Sequence, residues 1–320
     1  RPVIMATSAS SRNSDSDEID SPSNAFEQST LAFKTQKNPN IKDVWKRPSK
    51  KECLPIEDGD LICFEIPYAR IFSPENENQN NAKKYVIYDV SVIYMRSNTE
   101  QDTIPTTIER RYTHFLILYE ALRKDFPQLM QNVTFPKKVI MGNFSEELIG
   151  ERSIAFETFL DYIVSRPDLR DSNHFLDFLQ TEELNKACQL LDERRNEQAV
   201  PLLENCFRVL NKVYLDKSKC VLLVLCRLVA ACTTSPLPHP FAEQWAELAL
   251  RRFEHVCDTE LLVLYIPLLQ TCVHLFWQRG RDNKLLEERL NDMSRKGIKT
   301  KGVPTLTQTI HALEPRSETT

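Results

Sequence analysis

Between Tyr85 and Phe126 the apolar residues change period, and that change limits what this stretch can build. Val86, Tyr88, Val90, Val92 and Tyr94 recur at every second position, the repeat of a strand with one buried face. Phe115, Leu118, Tyr119, Leu122 and Phe126 then follow at helical spacing, with Thr113 as the expected N-cap. Alternation of Ile62, Phe64 and Ile66 marks an earlier strand over 61–72, and a short one is expected over 106–111. Pro127 should end the first helix, and 128–150 reads as a long loop. Phe156, Phe159, Leu160 and Ile163 mark a second helix; Phe175, Phe178 and Leu179 mark a third, capped by Asp171 or Ser172. Residues 58–182 therefore read as an α+β domain.

The flanks read differently. Residues 1–57 are polar and aperiodic and are expected to be a disordered tail, with an acidic run at Asp15-Ser16-Asp17-Glu18. Residues 183–300 read as all-helical, with helices expected near 183–195, 197–213, 219–232, 240–257, 260–279 and 283–296. Short breaks between helices of that length favour stacked antiparallel hairpins, a separate all-α bundle. Ala187, Leu190, Ala199 and Leu203 are similar in spacing to a tetratricopeptide hairpin, with Arg195 where that motif carries glycine. Residues 301–320 read as a second tail.

Composition removes several function classes. A net charge of -4 and a pI near 6.0 do not suit a general nucleic-acid binder, so no nucleic-acid partner is expected. The nine cysteines include no C-x-x-C pair and read as reduced thiols of a cytosolic protein. The opening Arg1-Pro2-Val3-Ile4-Met5 lacks a secretory-signal pattern, so the sequons at Asn132 and Asn143 are expected to stay bare. The most apolar stretches are Cys220–Cys232, only 13 residues with Arg227 inside, and Leu261–Trp277, interrupted by Pro267, Gln270 and His274. Neither reads as a membrane span. Only six glycines occur and none forms G-x-G, which excludes dinucleotide, P-loop and kinase phosphate loops. The six histidines show no ligand spacing. The reading is of a protein that is not an enzyme, with no catalytic residue, metal or cofactor.

One constellation remains. Arg110-Arg111-Tyr112-Thr113-His114-Phe115 sits where a strand meets a helix; Phe135-Pro136-Lys137-Lys138 follows, then Arg152 where the next helix is expected to open. This set, in this element order, resembles the PX domain of sorting nexins. A PX domain followed by a tetratricopeptide-like helical region is similar to the sorting nexin 20/21 subgroup, whose second domain is called PX-associated domain B. The resemblance implies a three-stranded antiparallel sheet packed on helices, then a helical domain that binds protein.

It also implies roles. Arg111 would bind the 3-phosphate of phosphatidylinositol 3-phosphate, Tyr112 would pack on the inositol, Lys138 would contact the 1-phosphate and Arg152 the 4- and 5-hydroxyls. Guanidinium forks suit phosphate oxygens. For Arg110 the plainer reading is a strand-end charge facing solvent or an acidic partner, for Lys137 a solvated neighbour, and for Arg123-Lys124 an exposed helix face. Between 109 and 138 six basic residues stand against three acidic ones. The family loop usually carries two prolines around its lysine, and only Pro136 is present here. Val139-Ile140-Met141-Gly142-Asn143-Phe144 is apolar for a loop. Val139 reads as core, while Ile140, Met141 and Phe144 are expected to insert in the bilayer. The implied setting is the cytoplasmic face of early endosomes, as a peripheral membrane protein, with the helical domain recruiting cargo or a trafficking partner.

Overall fold

The computed structural model describes residues 40–49, 51, 61–74, 83–95, 106–139, 141–214, 218–234, 237–254, 256 and 259–314. Four strands, β1 (Ile41–Lys46), β2 (Leu61–Phe72), β3 (Tyr85–Met95) and β4 (Thr107–Arg111), form an antiparallel sheet in that order. The sheet thus has one strand more than expected, because Ile41–Lys46 lies in what reads as a polar tail. Trp45 is buried there, and β1 pairs with the second half of β2 from Ile41↔Phe72 to Lys46↔Tyr68.

The first helices are α1 (Tyr112–Asp125), the single turn α2 (Pro127–Met130) and α3 (Glu146–Val164). They pack on one face of the sheet through rings. Phe115 and Phe156 stack at 3.8 Å, and Tyr88 of β3 meets Phe156 edge-on at 5.1 Å. Helix α3 begins earlier than residue 150, because Ser145 caps it, its Oγ accepting from the Leu148 N–H at 3.3 Å. The loop is correspondingly shorter than 128–150. Helix α1 also begins one residue before the expected cap, with Arg111 in extended geometry at its N-cap instead of Thr113.

Beyond the end of β1 the outward N–H groups of β2 have no strand partner among the described residues, and α3 supplies acceptors. Glu157 accepts from the Ile66 N–H at 2.7 Å, and Asp161 accepts from the Phe64 N–H at 2.8 Å. Arg47 and Lys51 pair with the same two carboxylates. Gly150 lets α3 approach β1 closely, since a Cβ there would sit 2.9 Å from the Trp45 indole nitrogen.

Helices α4 (Pro167–Arg170) and α5 (Asn173–Asp192) lead into α6 (Asn196–Val213), α7 (Lys219–Thr233), α8 (Ala242–Phe253), α9 (Thr259–Gln278), α10 (Lys284–Arg295) and α11 (Leu306–Leu313). Ser172 caps α5, accepting from the Phe175 N–H. The expected boundary between 182 and 183 falls inside α5, which belongs to both halves. Residues 37–320 form one compact unit. Asn205 and Lys212 of α6 donate to the carbonyls of Thr107 and Val92, so the helical layer rests on the end of the sheet.

Helix α7 is buried nearly all round and packs against α6, α8, α9 and α11. The expected C-terminal tail contains α11, closed by a capping box between Thr305 and Gln308. By length and apolar content α9 is long enough to cross a membrane, but Leu261, Leu264, Leu268, Leu269, Cys272 and Leu275 are buried in this core. Among the described residues six cysteines are free thiols and Cys63 is disulfide-bonded, which corrects the expectation of nine reduced cysteines. Spacing rules look for C-x-x-C pairs, and none includes Cys63, so the sequence pattern did not mark it.

The α5–α6 turn closes at Arg194, whose φ is 59°, with the Arg195 N–H donating to the Leu190 carbonyl at 2.8 Å. The left-handed residue of this hairpin is therefore Arg194, one before the position that the motif suggested. A side chain costs about 1–2 kcal/mol in that conformation, part of which glycine returns as unfolded-chain entropy. Arg194→Gly should raise unfolding free energy by about 0.5–1 kcal/mol, read from denaturant midpoints at constant slope.

Candidate functional site

Adjacent residues of a strand point to opposite faces, and Arg110 and Arg111 show it at the end of β4. Arg110 is 1% exposed. Its Nε donates to the Phe178 carbonyl at 2.6 Å, and Nη1 and Nη2 grip the two oxygens of Glu183 at 2.7 Å each. It faces an acidic partner inside the protein and ties the sheet to α5.

Arg111 is exposed and has no carboxylate partner among the described residues. Its guanidinium lies 4.8 Å from the centroid of the Tyr85 ring, and Nη2 is 3.4 Å from Nε2 of His114. The backbone N–H of Arg111 donates to His114 Nδ1, also at 3.4 Å. The guanidinium thus lies at the surface against a ring and beside an imidazole, with its forked donors uncommitted to any anion among the described residues.

Tyr112 is half-buried. Its hydroxyl donates to the Pro136 carbonyl at 2.8 Å, and its ring packs near Phe135 and Phe156. On that ring, 4.4 Å from the centroid, lies the guanidinium of Arg152. Arg152 does not open its helix, as the sequence suggested; it stands in the second turn of α3 and is 3% exposed. Nη1 donates to Asn143 Oδ1 and Nη2 to the Lys137 carbonyl, each at 3.2 Å. Arg152 thereby fastens both ends of the 137–143 loop to α3.

Among the described residues no carboxylate pairs with Arg152, and its Nε has no hydrogen-bond partner. A buried cation without an anion is costly, so the site favours an incoming acceptor. The Tyr88 hydroxyl is buried beside Arg152; desolvation pushes its pKa up to about 12, against the pull of the Arg152 cation.

Lys137 and Lys138 are both exposed. Of the loop's apolar residues, Met141 is 85% exposed and Phe144 37%, while Val139 is half-buried. Ile140 lies outside the described residues. Lys84 Nζ sits 4.6 Å over the Phe144 ring, so the loop meets the start of β3.

The structure brings Tyr112, Arg152 and the 136–143 loop into one connected group, and sets Arg111 beside it on the next residue of the chain. Lys138 joins through its neighbours: the Lys137 carbonyl accepts from Arg152, and the Val139 carbonyl accepts from Asn143 Nδ2 at 2.8 Å. Arg110 is spent on Glu183 and leaves the local positive charge. Arg123 and Lys124 lie in the last turn of α1, about 18 Å along the helix from Arg111. The basic surface at the site is therefore smaller than the charge count between 109 and 138 suggests.

Lys84, Tyr85, His114 and Asn143 were missed. Lys84 and Tyr85 could have been found, because antiparallel pairing sets the start of β3 beside the end of β4, as Ile87↔Arg111 shows.

Comparison with known proteins identifies the fold that carries these residues. The PX domain family matches residues 98–182. Sorting nexin-20 of Rattus norvegicus is 32% identical over 233 residues, covering 72% of this chain and 70% of that protein. Sorting nexin-21 of Homo sapiens is 28% identical over 266 residues, covering 83% of this chain and 67% of that protein. The vacuolar protein sorting-associated protein vps5 of Schizosaccharomyces pombe matches over 115 residues only, at 30% identity, covering 36% of this chain and 19% of that protein. The similarity to the two nexins extends well past the PX match, into the helical region. The chain belongs to the sorting nexin family, in the sorting nexin-20 and -21 subgroup, and carries a PX domain followed by a helical region.

Proposed function

We propose that this protein is a non-catalytic endosomal adaptor that binds phosphatidylinositol 3-phosphate at the Arg111 site and recruits cargo or a trafficking partner through its helical region. The observation that carries the reading is the pair of arginines without anions: Arg111, exposed on Tyr85, and Arg152, buried on Tyr112. Arg111 takes the 3-phosphate, where its fork can grip two oxygens. Tyr112 and Arg152 border the inositol, Arg152 turning its donors from Asn143 and the Lys137 carbonyl towards ring hydroxyls. Lys138 takes the 1-phosphate as a mobile point charge. On this reading the site lies on the cytoplasmic face of early endosomes and holds the protein there peripherally. Vesicle sedimentation across singly and multiply phosphorylated phosphatidylinositols tests it: retention by the 3-phosphate lipid above the others supports the reading, and equal or absent retention overturns it.

The loop adds an apolar contact. Met141 stands almost wholly in solvent, where it stabilises nothing in the free protein, and Phe144 is partly exposed under Lys84. Burying one such side chain in hydrocarbon is worth about 1.5–3 kcal/mol. Ile140→Ser with Met141→Ser should weaken vesicle binding at least about tenfold, and leave melting temperature and affinity for the soluble headgroup unchanged. Unchanged vesicle binding would show that the loop stays out of the bilayer, and a lowered melting temperature would place these side chains in the core.

A further inference from the structure

His114 stands one helical turn from the phosphate-facing arginine, and nothing in the headgroup scheme uses it. Its side chain is 16% exposed. Nδ1 receives the Arg111 N–H, so Nε2 is the nitrogen turned outward, 3.4 Å from Arg111 Nη2 and 3.8 Å from Glu182 Oε1. We propose that His114 is a fourth cationic member of the phosphate site, charged when a phosphomonoester sits on Arg111 and neutral when the site is empty. The proposal rests on Arg111 being the 3-phosphate ligand.

The groups facing the ring decide the balance. From β4 come Arg111 and Arg110, two cations; from α5 comes Glu182, an anion. Arg110 is already matched by Glu183. In the empty site burial holds the imidazole below its ordinary pKa, with both arginines acting in the same direction and Glu182 opposing them. A phosphomonoester on Arg111 brings up to two negative charges beside Nε2 and cancels the repulsion from that guanidinium. The pair Arg111–His114 then encloses the phosphate between two donors: Nε2 already carries a hydrogen while Nδ1 accepts the Arg111 N–H, so the proton taken from solvent goes to Nδ1, which gives up that 3.4 Å bond.

Linkage fixes the sign. A histidine whose pKa is higher in the complex than in the free protein strengthens binding at low pH; the gain is full below the free-state pKa and disappears as pH rises through the bound-state pKa. Each unit of difference is tenfold in affinity across that window. The phosphate's own protonation near pH 6 acts the other way, so the readout is the difference between wild type and variant.

The experiment measures binding of wild-type and His114→Gln protein to phosphatidylcholine vesicles bearing phosphatidylinositol 3-phosphate, and to the soluble inositol 1,3-bisphosphate, from pH 5 to pH 8. In parallel, NMR follows the wild-type His114 ring with and without the soluble headgroup. The expected results are an affinity ratio of wild type to variant that grows about tenfold or more towards low pH, and a rise in the His114 pKa on adding the headgroup. A constant ratio, or a His114 pKa unmoved by bound headgroup, overturns the role of His114. Absence of headgroup binding at every pH overturns the Arg111 assignment instead. Inorganic phosphate in place of the headgroup tells whether the anion alone suffices to move the ring.

Discussion

Arg111→Gln should remove vesicle binding while leaving the fold untouched. The guanidinium makes no ion pair among the described residues and lies on the surface against Tyr85 and His114. Its loss in the free protein should cost no more than about 0.5 kcal/mol. In the complex it takes away charge-assisted hydrogen bonds worth about 1.5–3 kcal/mol each. Two such bonds amount to a hundredfold or more in affinity, roughly the margin a single headgroup pocket has. Sedimentation with 3-phosphorylated vesicles and a melting curve on the same sample read both quantities. A variant that still sediments contradicts the site; one that fails to sediment because its melting temperature has dropped leaves the binding role to a milder Arg111→Lys, which keeps charge but loses the fork.

Arg110→Ala should do the opposite. Arg110 is buried, satisfies the Phe178 carbonyl and holds Glu183 by both oxygens. Truncation leaves Glu183 facing a cavity and a carbonyl without a donor, and breaking a buried pair on one side costs about 3–5 kcal/mol. That is a large share of the 5–15 kcal/mol that holds a typical domain together. Because Glu183 lies on α5 and Arg110 on β4, the loss should loosen the helical layer from the sheet as well. Urea unfolding measures the change. Replacing both partners, Arg110→Met with Glu183→Leu, should recover most of it, since neither charge is then buried alone. A loss below about 1 kcal/mol for Arg110→Ala would mean that the pair is not the clamp described here.

The two arginines also show where the sequence was readable. Alternation places Arg110 and Arg111 on opposite faces, but which face is inward depends on α5, more than sixty residues later, and no local pattern contains that. Strand β3 and helix α1 were legible because each buries one face through its own periodicity. Strand β1 was not, because Trp45 is its one buried residue and its order comes from pairing with β2.

Helix α11 was missed for the opposite reason: its capping box at Thr305 and Gln308 is in the sequence, hidden only by a length of eight residues. The start of α3 was similarly readable from Ser145 followed by Glu146 and Glu147, a cap with an acidic first turn. Taking Arg152 as a helix opener moved it to the surface, whereas one and a half turns further in it lies on Tyr112. For the proposed site, the motif pointed to Arg111, Tyr112, Lys138 and Arg152. His114, Lys84 and Tyr85 needed the β3–β4 pairing and the α5 contact to come into view.

The central claim is that Arg111 and Arg152 face one ligand. Titration of the wild-type protein with soluble inositol 1,3-bisphosphate, followed by NMR at the arginine Nε–H and His114 resonances, tests it most directly. Saturable shifts at Arg111 and Arg152, with Arg110 and the arginines of α8 to α10 unmoved, are the result predicted. No saturable shift at Arg111, or shifts confined to the helical region, would contradict it.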